Sequence, residues 1–303
     1  MWSELWANVW TSLYLTVFRP MIKWLTHKIT GKCELLRLIY LFPTGAERTK
    51  HIEKSLQRSR HADLKRLVTE HSYDVEEAVK LVVKIKQIVE DVHIEFESRL
   101  KVCLVQICAY KRLFEEVETI RKIKYDSTNA QHEKMLLELW DLLMPDDPLE
   151  GRISSQWNTI GFQGSDPATD FRGMGILGLQ QLIYFAKKYS SRAKQCLSRS
   201  QHPNIGLSYA IVGVNITGVA HHLLKKRKLR SHFYNNIEPV HGRPTVEDFH
   251  EVYCYLFYEF DKFWYKERPK TIMEFSHVRD KFQKRIISQL KKPGVKLCIE
   301  TDD

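Results

Sequence analysis

The stretch "TVEDFHEVYCYLFYEFDKFWY" (245–265) combines a helix start signal with a dense apolar body. Thr245 stands three residues before Asp248, which is the spacing of a capping box that satisfies two unpaired N–H groups. Behind this cap, apolar and aromatic residues recur every three or four positions, the period of a helix rather than of a strand. We therefore predict a helix over 245–265 at the centre of a helical core.

The same helical period runs through most of the remaining chain, and the alternation typical of strands is almost absent. A break rich in Pro, Asp and Gly, "MPDDPLEG" (144–151), separates an earlier group of helical segments from a later group. The sequence thus predicts an all-α fold, a single multi-helix domain with an amphipathic helix at its N-terminus. The other predicted helical segments are 61–92, 98–120, 125–145, 150–158, 174–189, 190–198, 206–226 and 271–290.

The composition indicates a globular chain with a surplus of positive charge. Its 303 residues have a formal net charge of +10, which suits anionic lipid, nucleic acid or an acidic protein equally. The six cysteines are scattered without a C-x-x-C pair, a pattern typical of reduced cytosolic thiols. His250 and Cys254 stand one helical turn apart but lack a second pair of ligands, so we expect no metal site. We also expect no cofactor.

The first 27 residues form the apolar exception. No basic segment precedes this stretch and no small-residue cleavage site follows it, so we expect a cytoplasmic protein that is not secreted. Two alternatives remain open: a helix lying in the membrane interface, or a helix packed on the rest of the protein. The apolar residues recur at helical spacing: Trp2, Leu5, Trp6, Val9, Trp10, Leu13, Tyr14, Val17, Phe18, Met21, Trp24 and Leu25.

Two motifs have ordinary structural explanations. Gly173, Gly175 and Gly178 form a literal G-x-G-x-x-G, but no buried strand precedes them and no acid follows about 20 residues later. We therefore interpret these glycines as residues for helix entry and close packing. The basic run "LLKKRKLR" (223–230) lacks interleaved aromatics, which favours a solvated helix end over binding of nucleic acid. No motif for self-contained hydrolysis is present.

Arg172 lies within "DPATDFRGMGILGL" (166–179), a polar loop that leads into a helix. In one interpretation, the arginine and an aspartate clamp this loop internally. In the other, Gly173 lets the backbone turn so that the guanidinium projects to a partner, and Asp170 orients it by a hydrogen bond. Residue pattern alone leaves both possibilities open.

The longer stretch "WNTIGFQGSDPATDFRGMGILGLQQLIYF" (157–185) closely resembles the signature of the ELMO domain, found in ELMO domain-containing proteins. "SRSQHPNIGLSYAIVGVNIT" (198–217) and "VYCYLFYEFDKFW" (252–264) resemble further parts of that domain. "KITGKCEL" (28–35) and "YDSTNAQHEKMLLELWDLLMP" (125–145) resemble its small members. Together with the apolar spacing of the first 27 residues, this resemblance leads us to expect an amphipathic membrane-interface or packing helix (1–27), a helical region (28–129), the ELMO domain (130–290) and a tail (291–303).

The resemblance also implies an activity, because the family acts as GTPase-activating proteins for GTP-bound Arf and Arf-like small GTPases. Its signature arginine falls on Arg172, which would be supplied in trans as an arginine finger, with Asp170 orienting it and Gln163 near the nucleotide. The alternative is a non-catalytic adaptor that binds a small GTPase or a membrane. Ser165 and Ala168 depart from residues frequent in the family. The implied platform of the motif consists of Trp157, Gly161, Phe162, Asp166, Thr169, Phe171 and Gly173.

Overall fold

The computed structural model describes residues 6, 9–10, 12–43, 45–70, 73–236 and 243–299. Throughout these ranges the regular structure is helical and no strand occurs, which confirms the predicted all-α fold. The chain divides into two compact units, residues 1–108 and 109–303, and the boundary lies within one long helix, α6. Helices α1 to α6 are Arg19–Thr30, Glu34–Leu41, Ala46–Gln57, Ala62–Thr69, Val75–Lys86 and Phe96–Lys122. Helices α7 to α13 are Ala130–Leu143, Gly175–Lys188, Ser190–Ser200, Tyr209–Lys225, Arg230–Asn236, Val246–Glu267 and Phe275–Gln289.

The first unit is built on one apolar cluster. Helices α2 to α5 contribute leucine, isoleucine, valine and alanine, and the first part of α6 contributes Phe96, Leu100 and Leu104. The predicted segment 61–92 contains two helices, α4 and α5, rather than one. Asp74 begins the second of them by accepting the Glu77 N–H with its side chain, at 2.9 Å.

The N-terminal segment is helical where the structure describes it, with a π-helical turn, Tyr14–Phe18, leading into α1. Its large apolar side chains are exposed: Trp6 is 69%, Trp10 64% and Trp24 58% accessible. The polar side chains of Ser12 and Thr16 are exposed as well, so the amphipathic arrangement stays a prediction. The predicted stripe residues Trp2 and Leu5 lie outside the described residues. In the described part of the chain, no helix has the length and apolar character needed to cross a membrane.

Helix α8 lies at the centre of the second unit and packs against α7, α9, α10 and α12. Close approach to α10 is possible because residue 213 is a glycine: a Cβ there would lie 2.4 Å from the Leu182 Cδ2 atom. Helix α12 begins with the predicted capping box, which is confirmed by reciprocal hydrogen bonds between Thr245 and Asp248. Its aromatic body is buried as predicted: Phe249, Tyr253, Phe257, Phe260, Phe263 and Trp264.

The segment 150–158 differs from its prediction as a helix. Only a short 3-10 helix forms there, Ser155–Ile160. The Ser154 side chain caps it by accepting the Gln156 N–H, and Gly161 ends it with a φ of +83°. Because a turn begins and ends within so few residues, an α-helix has no room to propagate.

We predict that the free energy of unfolding falls as the pH drops from about 6.5 towards 4, in part because His250 is buried. Burial lowers the pKa of His250 to about 4, so the unfolded chain takes up the proton first in this range. The buried Nδ1 atom of this ring makes no hydrogen bond, so replacement by an apolar ring removes none there. Denaturant unfolding of His250→Phe at several pH values should show a shallower pH dependence than the wild type.

The matched control is His277→Phe, which changes an exposed histidine on α13. It should leave the slope of unfolding free energy against pH as it is in the wild type. An unchanged slope in His250→Phe would show that this buried ring does not contribute to the acid sensitivity.

Candidate functional site

The candidate site is the arginine loop, which we define as residues 161–174, between the 3-10 helix at 155–160 and α8. Within it, a second 3-10 helix, Pro167–Phe171, places Arg172 directly after its last residue. Asp166 begins this turn by accepting the Ala168 N–H at 2.9 Å, with proline in the first helical position. The local sequence therefore fixes the backbone on which Arg172 is carried.

The Arg172 side chain is exposed. Across the residues that the structure describes, it makes no hydrogen bond or ion pair, and its interaction is a longer-range attraction to Asp170. The predicted hydrogen bond from Arg172 to Asp170 is absent; the Asp170 Oδ2 atom instead accepts the backbone N–H of Gln163 at 2.8 Å. The internal clamp considered for Arg172 is thus not formed in this structure.

The aspartate that was expected to orient the arginine instead closes the loop on itself. Burial raises the pKa of Asp170 above its ordinary value, although the Gln163 N–H and the nearby Arg172 act in the opposite direction. The side chains of Gln163 and Thr169 are both exposed. The hydrogen bond from Gln163 to Asp170 therefore brings the early part of the loop next to the segment that carries Arg172.

A continuous set of aromatic rings supports the loop from below. Phe171 is buried and packs against Tyr125, with ring centroids 5.2 Å apart, and against Phe162 at 5.6 Å. Phe162 contacts Trp157, which in turn contacts Trp140 of α7. Since Phe171 precedes Arg172 directly, burial of this ring holds the arginine's backbone close to the core.

An ion-pair network holds the start of the same loop. The Arg152 guanidinium donates to the Asp166 Oδ1 atom at 2.9 Å and also to Glu133 of α7. The Tyr125 hydroxyl donates to the other oxygen of Glu133. Burial opposes ionisation of Asp166, but the Ala168 N–H and Arg152 lower its pKa below the ordinary value. The carboxylate is therefore the form that anchors the loop.

The end of the loop rests on the C-terminal end of α6. The Ile123 carbonyl accepts the Ile176 N–H at 2.8 Å, and the Arg121 guanidinium lies 3.5 Å from the Gly173 carbonyl oxygen. Gly175 has a φ of +56°, and a Cβ there would lie 2.3 Å from the Ile123 carbonyl oxygen. Only glycine combines this backbone conformation with so close a contact.

Arg121 is itself held by a carboxylate. Glu118 accepts two hydrogen bonds from its guanidinium, at 2.6 and 2.8 Å, and lies 2.7 Å from the Nε2 atom of His221. Arg121, together with His221, lowers the pKa of Glu118 to about 2. Glu118 therefore stays ionised at neutral pH and keeps Arg121 beside the loop.

Gly161, one of the two glycines of the predicted platform, lies at the other end of the loop. Its φ is +83°, and a Cβ there would lie 2.2 Å from the backbone nitrogen of Tyr209 in α10. The Gly161 carbonyl accepts the Ile211 N–H at 3.2 Å, which joins the loop to α10. Gly173, in contrast, is exposed and has open space around it.

The chemistry of this arrangement is that of a cation presented outward. Within the described ranges, no three His, Cys, Asp or Glu side chains lie where they could jointly hold a metal ion. The acids near the loop are engaged in holding its backbone, while the guanidinium of Arg172 faces solvent. Such a group can neutralise negative charge that another molecule brings to the loop.

Sequence reasoning missed the side chains that hold the loop from a distance. Arg152 and Glu133 are separated from one another by 19 positions, and Arg121 lies 52 positions before Gly173. No local motif marks such pairs, because residues so far apart in the sequence are brought together only by the tertiary fold. The close approach at Gly175 had a signal, since three glycines were predicted to serve helix entry and packing.

Comparison with known proteins gives a consistent result. Residues 115–279 match the model of the ELMO/CED-12 family. ELMO domain-containing protein 2 of Bos taurus is 49% identical over 283 residues, which cover 93% of this chain and 95% of that protein. ELMO domain-containing protein 1 of Pongo abelii is 46% identical, covering 91% and 89%. ELMO domain-containing protein B of Dictyostelium discoideum is 34% identical, covering 87% and 92%.

We predict that Gly175→Ala destabilises the protein, whereas Gly173→Ala does not. A left-handed backbone costs an ordinary residue roughly 1–2 kcal/mol, and the contact with the Ile123 carbonyl adds to this cost. At Gly173, no atom lies within 4 Å of the position that an alanine Cβ would take, so alanine fits there. Denaturant unfolding measures both variants, and equal stability of the two would contradict the proposed close contact.

Proposed function

The chain belongs to the ELMO/CED-12 family, and from this premise we propose that it is a GTPase-activating protein for Arf and Arf-like small GTPases. In this proposal, Arg172 is the arginine finger that the protein supplies in trans to the GTP-bound partner. The assignment of the Arf class follows from the resemblance of residues 157–185 to the ELMO signature. The chain then needs no nucleotide-binding motif of its own.

The observation that carries the proposal is the exposed Arg172 on a loop that is held at both ends. An arginine finger acts by neutralising charge that develops on the transferred phosphoryl group, an effect of about 10³–10⁵-fold in kcat. This gain requires a group that is already in place, because movement during the reaction would cost free energy. The packing of Phe171 against Tyr125 and the close contact at Gly175 meet that requirement for the backbone that carries Arg172.

The neighbouring residues have positioning roles in this proposal. Asp170 holds the Gln163 backbone and attracts the Arg172 guanidinium without a direct hydrogen bond, so the arginine stays free to reach a phosphate. The exposed Gln163 side chain would lie at the rim of the nucleotide site of the partner. Trp157, Phe162 and Phe171 are buried and would act only by supporting the loop.

We predict that Arg172→Lys loses most of the acceleration of GTP hydrolysis while the protein stays folded and still binds its partner. Lysine keeps the charge but lacks the planar fork that bridges two phosphate oxygens. The measurement is single-turnover hydrolysis by a panel of GTP-loaded Arf and Arf-like GTPases, with binding recorded in parallel.

The matched control is Arg60→Lys, which changes an exposed arginine in the first unit. It should behave as the wild type does. Full activity of Arg172→Lys would overturn the role of Arg172. Nucleotide-dependent binding by the wild type without any acceleration would instead support the alternative function, a non-catalytic adaptor.

We further propose that residues 1–27 attach the protein to the cytoplasmic surface of an intracellular membrane. The observation in favour is the exposure of Trp6, Trp10 and Trp24, since tryptophan is enriched at membrane interfaces. The Lys28 ammonium lies 4.8 Å from the centre of the Trp24 ring, so a cation lies beside the exposed apolar side chains. Such a cation is attracted to anionic lipid headgroups.

We predict that replacing both Trp6 and Trp10 with serine weakens binding to anionic liposomes by on the order of tenfold or more, because two large apolar side chains are removed. Liposome flotation measures the bound fraction. The control is Leu41→Ser, which removes an apolar side chain that is 70% exposed outside this segment. If the double variant floats as well as the control, the segment is not the membrane anchor.

A further inference from the structure

An open groove of about 420 Å³ lies directly beside the arginine loop. Asp170, Gly173 and Met174 of the loop form one side, and residues of α10 and α13 form the others. Arg172 stands between Asp170 and Gly173 in the chain, so the groove begins where the proposed finger is attached. Of the groove's residues, only Asp170 and Gly173 take part in the hydrogen bonds described above that hold the arginine loop.

The groove has apolar and polar parts. Its apolar part contains the Met174 side chain and valines of α10, and its polar part contains Asp170, His222 and Asp280. The Asp280 Oδ1 atom is paired with the Arg279 guanidinium at 2.9 Å. Such a surface fits an apolar side chain whose neighbouring N–H groups can donate to the Asp170 Oδ1 and Asp280 Oδ2 atoms, which accept no hydrogen bond from the described residues.

Gly218 of α10 borders the open space of the groove, and no neighbouring helix comes close enough to require a glycine there. A Cβ at this position would meet only the Met174 Cε atom, at the ordinary contact distance of 3.6 Å. Gly213 of the same helix, in contrast, is required by the close approach of Leu182. Glycine is less favourable than alanine inside a helix, and packing on the described residues gives no reason for it at 218.

We propose that the groove receives a segment of the GTP-bound small GTPase, with an apolar side chain of that segment lying over Met174 and Gly218. This inference rests on the proposed function. An arginine that enters the phosphate site of another protein brings that protein's surface against the loop, and therefore over the adjoining groove. Small-molecule sites bury most of their ligand, whereas this groove is open, which favours a polypeptide occupant.

The test is to fill the groove at Gly218 and to measure binding separately from catalysis. Gly218→Phe should raise both the Kd for the GTP-loaded GTPase and the KM of its activation by tenfold or more. At saturating concentrations kcat should stay near the wild-type value, because Arg172 is untouched. Gly218→Ala is the matched control and should bind as the wild type does, since a methyl group fits without displacing atoms.

A second variant introduces the bulk after folding. Gly218→Cys is reacted with N-phenylmaleimide, and the labelled protein should lose affinity relative to its unlabelled form. Ser191→Cys, at an exposed position of α9 outside the groove, should bind equally well with and without the label. Labelled wild type gives the background from native thiols such as the exposed Cys298.

The outcomes separate this inference from the function on which it rests. If the wild type binds the GTPase, and both Gly218→Phe and labelled Gly218→Cys bind equally well, the groove proposal fails alone. If binding weakens as expected but no variant or wild type accelerates hydrolysis, the groove is supported and the catalytic proposal fails. If the wild type binds no GTP-loaded GTPase of the panel, both proposals fail.

Discussion

The carbonyl oxygens of Arg121 and Ile123 lie so close to Gly175 that a side chain at this position would overlap them. This contact fixes the point at which the arginine loop becomes α8. Since α8 packs against α7, α9, α10 and α12, the loop continues directly into the centre of the second unit. The position of Arg172 therefore depends on the core itself. A change that loosened the contact between Gly175 and the end of α6 would displace the arginine and the helix together.

The ion pairs and hydrogen bonds around the arginine loop leave the Arg172 guanidinium without a hydrogen-bond partner among the described residues. Asp166 is paired with Arg152, Glu118 with Arg121, and Asp170 accepts a backbone N–H, so each acid fixes part of the loop. No hydrogen bond to Arg172 must be broken within the described residues when a partner arrives. An arginine presented in this way can neutralise phosphate charge without first losing an internal ion pair, a loss that would reduce the net gain.

How far the sequence could predict this structure depends on the range of the interactions. The helical period, the capping box at Thr245 and the glycines beside α8 are local signals, and they predicted the fold class and the loop-to-helix junction. The partner of Asp170 was predicted wrongly, because the sequence showed Arg172 two residues away but not the fold of the loop back onto Gln163. The domain start at residue 130 stays a prediction, and the contact of the Ile123 carbonyl with α8 carried no local sequence signal. The groove at Gly218 had no sequence signal, because the sequence does not distinguish a glycine required by close helix packing from a glycine that borders open space.

The central claim is that Arg172 acts on the transition state of GTP hydrolysis in a partner protein. Catalysis by differential binding predicts tighter binding to a mimic of that state than to the ground state. The most direct measurement is therefore the affinity for the partner GTPase loaded with GDP and aluminium fluoride, compared with the same GTPase loaded with a non-hydrolysable GTP analogue. The wild type should bind the aluminium fluoride form more tightly, and Arg172→Ala should lose that difference while remaining folded. An equal preference in the wild type and in Arg172→Ala would contradict this role for the arginine.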